Sequence, residues 1–148
     1  MNRQKYFLHP IEPGKKPKPL TDENIEDMAM KLLTYLIDRN LFYDAILYYC
    51  RNGKWVSCHS DVYRNQNEYE KRVITKSNKT YEWWERDDDE PSTYFIYNGD
   101  ILSMSFEGPL YYALNTHMTE NDYLRNFFSH YGLYFELGDA WNFSVYKI

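Results

Sequence analysis

Apolar side chains recur along this chain at two spacings, and the spacing changes with position. After Thr21, the residues Ile25, Met28, Ala29, Leu32, Leu33, Leu36 and Ile37 fall three or four apart or side by side, which predicts one amphipathic helix. Thr21 supplies a capping hydroxyl, and Asp22, Glu23, Glu26 and Asp27 crowd the end where the helix dipole is positive. The stripe runs out near Arg39 and Asn40. Residues 45–50 and 54–58 are β-rich runs around Asn52 and Gly53, a pair suited to the positive φ angles of a type I′ turn, so 44–60 reads as a hairpin. In that register Cys50 faces Trp55 and Cys58 faces Leu47, which puts the two thiols on opposite faces and excludes a disulfide between them.

Beyond the hairpin, residues 63–80 are polar, with helical character around 66–71 and no apolar stripe. A strand is expected over 81–86, followed by an acidic loop. A second hairpin is expected over 93–97 and 100–106, turned by Asn98 and Gly99, with Phe95, Leu102, Met104 and Phe106 on one face and Ser103 and Ser105 on the other. Gly108 and Pro109 lead into 110–114, read as a third strand of that meander. Thr119 caps a second helix whose apolar face is Leu124, Phe127, Phe128 and Tyr131, and Gly132 supplies its left-handed stop. The last hairpin runs over 133–137, turns at Gly138 and Asp139, and returns through Trp141, Phe143 and Val145. These elements predict an α+β fold in two layers: an antiparallel sheet of about six or more strands, built from successive hairpins, with two main helices packed on one face. Residues 1–20 are set apart as an extended Pro/Lys-rich arm and 21–148 as a single domain, since Pro10, Pro13, Pro17 and Pro19 forbid a helix or central strand there.

Composition adds two things. Aromatics make up 19% of the chain, with 16 Tyr, more than a core of this size absorbs, so some rings belong near the surface. No apolar run is long enough to span a membrane, the N-terminus lacks the apolar region of a secretion signal, and two cysteines give no disulfide framework; a cytoplasmic location is the expectation. Charge is unevenly spread. Arg3, Lys5, Lys15, Lys16 and Lys18 oppose Glu12 alone in the arm, whereas residues 87–148 hold ten acidic side chains against Arg125 and Lys147. That balance disfavours direct nucleic-acid binding, which needs a basic face, and favours a basic protein partner.

Motifs of chemistry are absent. There is no CxxC or HExxH spacing, no phosphate-cradling glycine loop and no nucleophile elbow, and the histidines His9, His59, His117 and His130 are scattered. No catalytic, metal-binding or cofactor residue is assigned. The combination that does stand out is Trp83 and Trp84 followed by Asp87, Asp88, Asp89 and Glu90, with Asp139 and Trp141 as a second acid–aromatic pair. Aromatics fill desolvated pockets of a partner, and neighbouring carboxylates steer a basic one. The leading expectation is therefore a non-enzymatic acidic protein-binding module. In size, charge and lack of catalytic motifs it is comparable to inhibitors, immunity proteins and phage-borne antagonists of bacterial defence that mask a basic surface. Two other readings stand beside it: a small hydrolase or ligand-binding domain with an aromatic-lined pocket, and a structural protein that self-associates through an exposed strand edge.

Overall fold

A computed structural model describes residues 16–60, 70–76, 79–85, 90–91, 101–116 and 118–148, of which 70–76, 79, 80 and 118 are described by their backbone alone. The first element is helix α1, Asp22–Asp38, and its cap is the expected one: the Thr21 hydroxyl accepts from the Asn24 N–H at 3.1 Å. Strands β1 (Ala45–Arg51) and β2 (Lys54–His59) follow as the predicted hairpin. Asn52 and Gly53 both take positive φ, 52° and 73°, as a type I′ turn demands. Cys50 lies opposite Trp55 and Leu47 opposite Cys58, so the thiols do occupy opposite faces, and both are free.

Strands β3 (Glu70–Lys76) and β4 (Lys79–Glu85) come next, then β5 (Leu102–Phe106), helices α2 (Pro109–Thr116) and α3 (Met118–Ser129), and the closing hairpin of β6 (Leu133–Leu137) and β7 (Asn142–Lys147). The seven strands form one antiparallel sheet in the order β3-β4-β2-β1-β5-β7-β6.

Three expectations change. Helical character was expected over 66–71, whereas Glu70 begins a strand, and 61–69 lie outside the described residues. The β-branched run Val73, Ile74 and Thr75 suits a pleated surface and pairs with Glu82, Tyr81 and Thr80. Residues 110–114, expected as a strand, form most of α2. Pro109 occupies the first helical position, where its missing N–H costs nothing, and Leu110, Ala113 and Leu114 bury at helical spacing. There are accordingly three helices among the described residues rather than two. Finally, α3 starts at Met118, so Thr119 lies inside its first turn, and the Asn121 side chain reaches back to the Leu114 carbonyl at 2.7 Å, tying α3 to the end of α2. The predicted strand 93–97 and its Asn98–Gly99 turn lie outside the described residues, as does most of the arm. Of that arm, Lys18 donates its N–H to the His130 carbonyl at 3.0 Å and sets its ammonium over the Tyr131 ring.

Strand registers sort the core. Across one face runs the row Trp83, Cys58, Leu47, Met104, Phe143 and Leu137, each opposite the next. Five of the six are buried together with residues of α1, α2 and α3 in one cluster, where the expected face of the second helix (Leu124, Phe127, Phe128, Tyr131) also lies. The opposite face carries the row Trp84, Ser57, Tyr48, Ser103 and Ser144. Those side chains are buried too, and the Ser103 and Ser144 hydroxyls share a hydrogen bond of 2.8 Å.

Candidate functional site

Glu26, near the start of α1, bonds Tyr49 and Arg51 at the end of β1, so the helix runs back along the strand and the two ends of β1 have different surroundings. At the end where β1 begins, three loops converge. The Glu107 N–H donates to the Asp44 carbonyl at 2.9 Å and the Phe106 N–H to the Trp141 carbonyl at 2.7 Å. Asn115 of α2 donates its side-chain amide to the Ala140 carbonyl at 2.9 Å. These bonds draw together residues 40–44, 107–112 and 136–141, none of which is Lys or Arg. Asp44, Glu107 and Asp139 are exposed there, with Tyr43 at 42% and Tyr112 at 64% exposure, while the exposed Glu136 pairs with Ser144 in the row on the other face of the sheet. Tyr112 shares one side of α2 with Asn115, three residues on, which turns it toward the β6–β7 loop. Gly108 is needed at the junction, since a Cβ there would lie 2.5 Å from the Tyr43 carbonyl oxygen.

The anticipated site residues fare differently. Trp83 and Trp84 are 0% and 5% exposed, split by strand alternation between the two faces and buried on both, so neither indole stands at the surface. Trp83 instead packs edge-on against Tyr49, ring centroids 5.1 Å apart. Asp87, Asp88 and Asp89 lie outside the described residues, and Glu90 is exposed. Asp139 is exposed and Trp141 half-buried, both in the acidic corner. Sequence reasoning missed Tyr43, Asp44 and Tyr112, because only the fold brings these parts of the chain together.

At the other end of β1, where the first hairpin turns, a cavity of about 620 Å³ is lined by Glu26, Tyr49, Arg51, Asn52, Lys54, Val56 and Glu85. Tyr49 and Arg51 alternate onto the helix-facing side, and Glu26 descends from the first turns of α1 to meet them. One carboxylate oxygen of Glu26 accepts from the Tyr49 hydroxyl at 2.8 Å and from Arg51 Nη1 at 2.7 Å. Glu26 is 7% exposed, and burial of an ionised carboxylate is tolerated only with such partners. The hydrogen bond to Glu26 pushes the Arg51 guanidinium above its usual range, keeping it charged at any working pH. Tyr49 is the single aromatic of this lining, so the cavity is polar rather than aromatic-walled.

A scan against protein-family models and searches of curated proteins and solved structures found nothing that matches the chain. Function must therefore be argued from these two ends. Among the described residues no group of three or more His, Cys, Asp or Glu side chains could hold a metal ion, and no helix is long and apolar enough to cross a membrane. Cys58 offers no nucleophile: burial, with Glu82 adding to it, holds its thiol far above the ordinary range and therefore protonated.

Proposed function

We propose that the chain is a non-enzymatic protein-binding module that docks its acidic, aromatic corner on a basic surface of a partner protein. The observation that supports this is the convergence of Asp44, Glu107 and Asp139 with the exposed rings of Tyr43 and Tyr112 on three segments, 40–44, 107–112 and 136–141, that hold no Lys or Arg. Carboxylates of one sign raise the encounter rate with a cationic face, and tyrosines bury large area at low entropic cost once contact is made. A nucleic-acid-binding groove is the kind of basic surface such a corner would mask, which makes the chain an inhibitor or immunity-type protein in this reading.

Affinity capture with the tagged chain from cells that express it, followed by mass spectrometry and surface plasmon resonance, tests the proposal. The expected result is a partner with a basic face, whose association slows about tenfold or more with Glu107→Lys plus Asp139→Lys or with high salt. Tyr112→Ala should raise the dissociation rate instead. Association indifferent to both salt and charge reversal overturns the proposal.

A further inference from the structure

The cavity at the turn of the first hairpin plays no part in the acidic corner's proposed role, and its chemistry is of another kind. Its floor is the β1–β2 pair, with Arg51 directly opposite Lys54 and Tyr49 opposite Val56, and Val56 in turn opposite Glu85 on β4. Two cations thus sit side by side at the tip, with two carboxylates, Glu26 and Glu85, around them. Arg51 directs Nη1 at Glu26 and lines the cavity as well; Lys54 is exposed, and its side chain makes no hydrogen bond or ion pair among the described residues. The type I′ turn at Asn52 and Gly53 sets Arg51 and Lys54 opposite each other on one face of the hairpin.

We propose that this cavity binds a small anionic solute that also carries hydroxyl or ammonium donors, of the size of a sugar phosphate or an amino acid. Lys54 and the outer guanidinium nitrogens of Arg51 take the phosphate or carboxylate. Glu85 accepts from the solute's donors, and the two carboxylates together repel an anion that brings none. A volume near 620 Å³ lies in the range of small-molecule sites and is ample for a hexose phosphate. The buried Glu26 carboxylate, held by Tyr49 and Arg51, keeps the Arg51 fork in position before the solute arrives, so little ordering remains for binding to require.

Isothermal titration calorimetry of the full chain with glucose 6-phosphate, glutamate, inorganic phosphate and glucose, each up to about 10 mM, decides the matter, since that range reaches affinities weaker than 1 mM. Saturable binding of glucose 6-phosphate or glutamate, whichever anion the site prefers, is expected, with inorganic phosphate weaker and glucose not bound. Lys54→Gln, at an exposed position that the fold does not use, should weaken that binding about tenfold. Glu85→Gln should weaken the donor-bearing solute while leaving inorganic phosphate unchanged or tighter. The proposal is overturned if no anion binds, if glucose or inorganic phosphate binds as tightly as the best solute, or if Lys54→Gln has no effect in a chain whose circular dichroism is unaltered.

Discussion

Gly108→Ala puts the architecture of the acidic corner to a quantitative test. The added methyl would lie 2.5 Å from the Tyr43 carbonyl oxygen and 3.1 Å from its carbonyl carbon, both backbone atoms. The first is about 1 Å short of an ordinary contact, so one of the two loops must move. Neither moves freely, since the Glu107 N–H is bonded to the Asp44 carbonyl and Phe106 to Trp141 on the flanking side. Overpacking of this kind costs about 1–3 kcal/mol. In a chain of 148 residues that corresponds to a loss of about 3–9 °C in melting temperature, read by calorimetry or far-UV circular dichroism. Gly53→Ala is the informative control. Nothing lies within 4 Å of its Cβ position, but φ is +73°, so its cost is backbone strain alone, about 1–2 kcal/mol. Because the clash at Gly108 is with backbone, Tyr43→Ala should not rescue Gly108→Ala. A Gly108→Ala variant within about 0.5 kcal/mol of wild type, or one rescued by Tyr43→Ala, refutes the reasoning.

Two further outcomes follow from buried groups. Glu26→Gln should destabilise by about 1–3 kcal/mol and Tyr49→Phe by about 1 kcal/mol, and because the two share a hydrogen bond of 2.8 Å the double variant should fall short of their sum; urea titrations that add within about 0.3 kcal/mol would rule out the coupling. Alkaline pH should also destabilise the fold: burial raises the Cys58 thiol from its ordinary 9.0 and raises Tyr35 from 10.0 to about 12, so the unfolded chain loses these protons first. Stability from these groups is therefore whole below about pH 9 and falls above it by up to about 1.4 kcal/mol per pH unit for each, a slope whose first part Cys58→Ala should remove from urea midpoints measured across that range.

How far the residues alone foretold this molecule depends on the range of the interactions involved. Local chemistry was readable: Thr21 caps α1, Asn52 and Gly53 turn the hairpin, Gly132 stops the chain after α3 at φ +70°, and the hairpin register placed Cys50 and Cys58 as found. Short apolar runs were ambiguous. Leu110 to Leu114 suits a strand or a buried helical turn, and Pro109 decided for the helix through its fixed φ. Long-range contacts were not readable at all. Strand alternation splits Trp83 and Trp84 between two faces, which leaves one ring for the surface if the other enters the core, yet here both faces are buried. Glu26 read simply as a charge suited to the helix dipole, and nothing local marked it for burial against Tyr49 and Arg51, twenty-three and twenty-five residues away. The acidic corner needed three loops from distant parts of the chain.

The opposite placement of corner and cavity along β1 has an electrostatic consequence. That strand has seven residues, so the two ends stand about 20 Å apart, more than two Debye lengths at physiological ionic strength. Counter-ions therefore shield the carboxylates of Asp44 and Asp139 from the ammonium of Lys54. Recruitment of a cationic partner at one end and of an anionic solute at the other need not compete, although the chain as a whole carries a net charge of −5.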